Sequence, residues 1–158
     1  MIFCMIINFS KIENYLFHSK RSVVNFSEDT FLIRKKSIKI TPTEKWNSSI
    51  LYYIEPRLNK RIIKAAMKQI QDLTCLSFKE STIKFTDKPG IIFSFGTNCS
   101  SIVGYDQSNS PQTIFLTHDC TESFGIVQHE LGHALGLSHE HSRADRDFYI
   151  EILKENIQ

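Results

Sequence analysis

Glycine and proline are scarce in this 158-residue sequence, at 6 and 4, which excludes collagen-like repeats and linker-rich arrays. No glycine occurs before Gly90. No apolar run approaches the roughly 20 residues of a membrane-spanning helix. Neither sign of charge dominates: 19 Lys and Arg against 17 Asp and Glu leave a formal net charge of +2. That balance offers no electrostatic case for a nucleic-acid partner or an anionic membrane. The four cysteines, Cys4, Cys75, Cys99 and Cys120, lack any C-x-x-C spacing, which argues against a cysteine zinc knuckle or a thioredoxin-like site. Spread this way, they suit either disulfides in a secreted domain or buried thiols in a cytosolic one. There is no internal repeat and no low-complexity tract. What remains is 41% hydrophobic and 23% charged, the composition of one soluble, globular domain.

The N-terminus is apolar from Ile2 to Ile7, but Asn8 ends the run and no basic n-region or small-residue cleavage site accompanies it. It reads as a weak or clipped signal peptide, or as a misplaced gene start. Residues 10–45 are polar, basic and aperiodic, with clusters at Lys20-Arg21 and Arg34-Lys35-Lys36. Residues 1–43 are therefore expected to be a poorly ordered leader or pro-segment, or a solvated arm, and residues 44–158 the folded part.

Ile50 to Ile54 is a β-rich run and predicts a first strand. From Pro56 onward Leu58, Ile62, Ala66, Ile70 and Leu73 recur at intervals of 4, 4, 4 and 3, the stripe of an amphipathic helix, with Met67 assigned to its core face. Short β-like runs follow at Ile83–Phe85, Ile91–Phe95, Ser101–Val103 and Thr113–Leu116, separated by turn residues. A second helix is predicted from about Glu122 to Leu137. Strand, helix, several strands and helix in that order suggest an α+β domain with a mixed sheet.

Four of the six histidines fall in one segment, His129-Glu130-Leu131-Gly132-His133-Ala134-Leu135-Gly136-Leu137-Ser138-His139-Glu140-His141. On a helix, His129 and His133 sit one turn and about 40° apart, the reach two imidazoles need to share a metal ion. Glu130 can take a proton from water held at that metal. Gly136 offers a helix-ending turn with positive φ that reverses the chain and returns His139 as a third ligand. Val127, Leu131, Ala134 and Leu135 on the other face would anchor the helix. Three imidazoles with a fourth position open describe a catalytic zinc site rather than a structural one. From the chain's own composition, these five positions coincide by chance in about 2 of 100,000 such chains, so incidental surface histidines explain them poorly. His141 is expected to face solvent, and His118 and His18 have no partner at ligand spacing.

The run continues Glu140, Arg143, Asp145, Arg146 and Asp147, and so resembles the H-E-x-x-H-x-x-G-x-x-H-E-x-x-R-x-D-R-D signature of the astacin family of zinc endopeptidases, a metzincin group. The similarity extends upstream. Trp46 with Ile50–Ile54 looks like the start of the family's catalytic domain, and Arg57–Cys75 like its long helix. Cys99-Ser-Ser-Ile-Val-Gly104 with Cys120 looks like a segment closed by a family disulfide. In all, the resemblance covers about residues 44–157.

The resemblance implies a zincin-like N-terminal subdomain of α+β class, a mixed twisted sheet with two helices, the second carrying the zinc motif. It implies one Zn2+ held by His129, His133 and His139, with Glu130 as the catalytic base. Glu140 corresponds to the carboxylate that meets the mature N-terminus, and Ser100–Val103 to the edge along which an extended protein or peptide substrate lies. Secretion and a Cys99–Cys120 disulfide follow from the same likeness, as does maturation by cleavage after Arg34-Lys35-Lys36. The Arg143–Asp147 cluster is expected to tie a turn with ion pairs. Against the family pattern, the C-terminal subdomain is missing. Met1, Met5 and Met67 all precede the zinc helix, so no Met-turn is present, and neither is the downstream tyrosine. Cys75 is expected to lack a partner unless Cys4 reaches it, and Asp29 is only a weak candidate for an inhibitory aspartate. The alternative to an active endopeptidase is a truncated, weakly active or inactive zinc-binding remnant.

Overall fold

The computed structural model describes residues 45–142, 144, 146–148 and 151, with the Glu140 side chain left aside. The expectations for residues 1–43, for cleavage after Lys36, for His18, Arg143 and Asp145 and for the Glu140 carboxylate lie outside the described residues.

Four strands form one sheet: β1 (Ser49–Ile54), β2 (Ser77–Glu80), β3 (Ile91–Phe95) and β4 (Gln112–Leu116), in the spatial order β2-β1-β3-β4. All three pairings are parallel. The mixed character of the sheet lies at its β4 edge, where Ser100 forms an isolated antiparallel bridge with Phe115. Alternation within each strand sends Ile50, Tyr52 and Ile54, Ile91 and Phe93, and Ile114 and Leu116 to one face, all buried. The helices cover that face. Ile63, Ala66, Met67 and Ile70 come from α1 (Lys60–Leu73), and Val127, Leu131 and Ala134 from α3 (Phe124–Ala134). On the opposite face, Phe85 and Ile92 are buried as a smaller layer.

The first predicted helix starts later than its apolar spacing suggests. Asn59 caps it, its side-chain oxygen accepting from the amides of Arg61 and Ile62, and Leu58 is buried in the preceding turn. The buried stripe is Ile63, Ala66, Met67 and Ile70, with Ile62 and Leu73 only partly buried beside it. Met67 packs in the core as expected. The Asn59 amide also donates to Thr121 Oγ1, and its side-chain nitrogen to Glu122 Oε2, both at 2.9 Å. One cap thus ties the start of α1 to a later element.

That later element, α2 (His118–Glu122), is a short helix that the pattern does not show, ending where the predicted helix from about Glu122 to Leu137 begins. Ser123 separates the two helices. With φ −99° and ψ 107° it is extended, and it is both the end cap of α2 and the start cap of α3. Two other expectations shift. Ile83–Phe85 is not a strand: Ile83 is exposed and Phe85 turns in over the sheet. Ser101–Val103 is not one either, since only Ser100 bridges to β4. In their place Ser77–Glu80, polar at three of its four positions, pairs with β1 from Ser49–Ser77 to Tyr52–Glu80.

Cys99 and Cys120 form a disulfide with Cα atoms 6.5 Å apart, as the resemblance implied. Cys75 is also disulfide-bonded, so of the two expectations for it, unpaired or reached by Cys4, the unpaired one does not hold. Among the described residues, no helix is long and apolar enough to cross a membrane.

Candidate metal centre

The site stands on the last turns of α3 and the loop that follows. Val127, Leu131 and Ala134 are wholly buried at positions i, i+4 and i+7, which fixes the face of the helix turned to the sheet. Gln128, also buried, donates from Nε2 to Gln69 Oε1 on α1. With two neighbouring faces held, exposed His129 and buried His133 are left to project together on a third.

The end of α3 is built to reverse. Leu135 is the last half-helical residue and Gly136 takes φ 107°, a conformation side chains with a Cβ rarely adopt. The Gly136 amide donates to the His133 carbonyl at 2.8 Å, and the Leu137 amide to the Gly132 carbonyl at 2.9 Å. This pair of bonds is the Schellman motif. It returns the chain along the helix and delivers His139.

A helix leaves its last four carbonyls without partners of its own. Here the carbonyls from Leu131 to Ala134 all have partners. Leu131 accepts from Leu135, Gly132 from Leu137, and His133 from both Gly136 and Gly104. Ala134 accepts from the indole nitrogen of Trp46 at 2.8 Å, and the Trp46 ring packs on Tyr105 with centroids 4.7 Å apart. The turn beyond His139 is stitched by Arg146, which donates to the His141 carbonyl at 3.0 Å and pairs with Asp147 at 3.3 Å.

The three Nε2 atoms of His129, His133 and His139 converge. They lie 2.9 Å (His129–His133), 3.0 Å (His133–His139) and 3.2 Å (His129–His139) apart. His133 Nδ1 is 2.7 Å from the Leu137 carbonyl. A carbonyl only accepts, so Nδ1 carries the proton and Nε2 presents its lone pair. This is the outer hydrogen bond by which metal-binding histidines are oriented. Tetrahedral nitrogens ~2.0–2.1 Å from zinc stand about 3.3 Å from one another, a few tenths of an ångström more than here. An all-imidazole donor set suits zinc and other borderline divalent ions.

Electrostatics favour neutral rings. Burial, reinforced by the His133, His139 and His141 rings, lowers His129 from 6.5 to about 4. Burial, with His133 and His141, lowers His139 too. Neutral imidazoles are the form that binds metal. Glu130 is 6% exposed, and burial raises its carboxyl above the ordinary range, partly offset by His133. Its Oε2 is buried with no hydrogen-bond partner. A buried carboxylate oxygen left unpaired in a stable fold asks for an explanation, and a proton-transfer role is one.

His141 is exposed, stacked on His139 with ring centroids 5.1 Å apart, and outside the converging trio. His118 is exposed beside Asp119 at the start of α2. The contribution of Trp46, Gly104 and Gln112 to the helix end was not foreseen. The available signal was Gln112, a polar side chain in phase with Ile114 and Leu116 on the core face of β4.

Comparison with known proteins points to one peptidase family. The profile of the Astacin peptidase family matches residues 38–158. The chain is 36% identical over 135 residues to astacin-like metalloprotease toxin 1 of Loxosceles intermedia, covering 84% of this chain and 50% of that protein. It is 36% identical over 149 residues to human tolloid-like protein 2, covering 90% of this chain and 14% of that one. Its fold matches high choriolytic enzyme 1, a hatching enzyme zinc-protease of the medaka Oryzias latipes, with a TM-score of 0.62 and 29% identity, over 78% of this chain and 64% of that one. The chain spans about half the length of the curated toxin relatives it matches. A profile match over most of the chain, joined to relatives above 30% identity, shows that it belongs to the astacin family.

Proposed function

We propose that residues 44–158 form the metal-holding part of a zinc-dependent endopeptidase, preceded by a leader or pro-segment at 1–43. His129, His133 and His139 would hold one zinc ion through their Nε2 atoms. When bound, that ion supplies a Lewis acid that activates water and polarises a peptide carbonyl. Glu130 takes the proton of the attacking water and passes it to the leaving amine nitrogen. Its raised pKa suits the second half of that task, since a carboxyl that holds its proton can give it to an amine. Residues 100–103, beside β4, offer an extended protein or peptide substrate a backbone edge. We place the protein outside the cell, where the Cys99–Cys120 disulfide is favoured.

The observation that carries this reading is the convergence of three imidazole nitrogens within 3.2 Å, next to a buried carboxylate with a free oxygen. Competition with a chromogenic chelator tests it. The chain should take up one zinc per molecule, and His133→Ala should not. Equal uptake by the two proteins would overturn the assignment.

A further inference from the structure

We propose that Gln112 is a positioning residue for the metal-binding helix, and that the same side chain sets where residues 100–103 stand relative to the three histidines. This rests on the reading of His129, His133 and His139 as metal ligands.

Gln112 is 1% exposed and lies on the core face of β4 with Ile114 and Leu116. An aliphatic side chain would satisfy packing there, and a buried amide costs free energy unless both its ends are paired. Both are. Its Nε2 donates to the Gly104 carbonyl at 2.8 Å, and its Oε1 accepts from the Asp106 amide at 2.8 Å. One side chain therefore fixes the backbone on both sides of Tyr105.

Two paths lead from that bracket to α3. The Gly104 amide, in a residue with φ 82°, donates to the His133 carbonyl at 2.8 Å. Tyr105 supports the Trp46 ring, whose nitrogen donates to the Ala134 carbonyl. Successive carbonyls at the end of the helix are thus held from outside it. The first belongs to the histidine whose Nε2 is nearest both others.

The bracket also acts upstream. Ser100 exchanges two backbone bonds with Phe115, at 3.0 and 2.9 Å. Residues 100–106 are consequently pinned to β4 twice, at Phe115 and at Gln112. The distance between this edge and the metal-binding helix is set by the second pin. A misplacement of about 1 Å between reacting groups can cost 100-fold in rate, so such a pin matters to chemistry as well as to stability.

The test compares the full chain with Gln112→Leu and Gln112→Glu, by amide hydrogen exchange and by the visible spectrum of the cobalt-substituted site. Gln112→Leu removes both bonds. We expect the amides of Gly104 and Asp106 to lose about tenfold or more in protection, while those of Ile63 and Ile70 in α1 keep theirs. Metal affinity should fall about 10–100-fold, with a shifted cobalt spectrum. Gln112→Glu preserves the shape. As a neutral acid it can donate to Gly104 and accept from Asp106, and ionised it cannot donate. Its Gly104 protection should be near wild type in mild acid and drop as pH rises, whereas the wild-type protection factor stays level. Unchanged Gly104 protection in Gln112→Leu, or an equal loss at Ile63 and Ile70 in both variants, would overturn the proposal. So would an unaltered cobalt spectrum in Gln112→Leu beside a wild-type chain that binds cobalt. The exchange data need no metal. A wild-type chain that shows the expected exchange pattern but binds no metal refutes the metal-centre reading and leaves the bracket standing.

Discussion

Replacing Gly136 by alanine tests whether the reversal after α3 governs both fold and metal site. Gly136 has φ 107°, beyond the narrow left-handed region that residues with a Cβ tolerate. Holding an ordinary residue in such a conformation costs on the order of 1–3 kcal/mol. The strain has no easy outlet. Relaxing φ would break the Gly136 and Leu137 amide bonds to His133 and Gly132, and would swing His139 away from its partners. Gly125→Ala is the matched control. Gly125 lies inside α3, and a Cβ there meets nothing within 4 Å. Inside a helix, alanine is better than glycine by about 0.5–1 kcal/mol. The same chemical change should thus move stability in opposite directions at two positions of one short segment. Urea unfolding of the metal-free chains reads the sign, and chelator competition reads the zinc affinity. Gly136→Ala should lose about 1–3 kcal/mol and, if the strain is released through His139, roughly 5- to 150-fold in zinc affinity. Gly125→Ala should gain stability and bind zinc as the wild type does. A Gly136→Ala chain as stable as wild type with intact affinity would refute the argument.

Glu130→Gln should lose about 10²–10⁴-fold in peptidase activity of the active protein while still holding zinc, since the amide cannot accept the water's proton. Activity retained in that variant would remove Glu130 from its role. Reducing the Cys99–Cys120 disulfide opens a loop with a sequence separation of 21, worth roughly 3 kcal/mol on the chain-entropy model. A double Cys99→Ala, Cys120→Ala variant with an unchanged unfolding midpoint would contradict that. Acidity acts through the histidines. His129 and His139 titrate lower in the folded chain than the ordinary 6.5, with His129 near 4, so the folded state binds fewer protons there. Their contribution to the stability of the metal-free chain is complete above about pH 6.5 and is lost as pH falls toward 4. Glu130, with its raised pKa, titrates in the opposite sense, so the measurement belongs in the Glu130→Gln background. Urea midpoints that stay flat or rise between pH 6.5 and 4 in that background would show the sign to be wrong.

The histidine cluster was legible because its rules are local. The i, i+4 spacing of His129 and His133 and a glycine just past a helix end are both written within eleven residues of chain. Glu130 is read from the same segment, and the family pattern added the disulfide. The sheet was harder, because its edges depend on distant partners. Ser77–Glu80 carries two charged residues and one aromatic, and becomes a strand only by lying alongside β1. Ile83–Phe85 has β-prone residues but spends its one buried side chain, Phe85, as a cover over the far face. The short helix His118–Glu122 was not legible, because Ser123 separates it from α3 by an extended backbone and not by a helix-breaking residue type. Asn59 caps α1 and shortens the helix that spacing alone starts at Pro56.

The bond from Trp46 to Ala134 joins residues 88 apart, near the two ends of the described chain. On a ribosome adding about 5–20 residues per second, the carbonyl that Trp46 needs emerges about 4–18 s after the indole does. The sheet strands and α1 are all synthesised in that interval. The final turn of α3 can then gain the Trp46 indole as donor only after the chain has come back to that residue. Assembly of the histidine trio therefore follows synthesis of all four strands, and a nascent chain arrested before Ala134 would lack both His139 and the carbonyl that Trp46 holds.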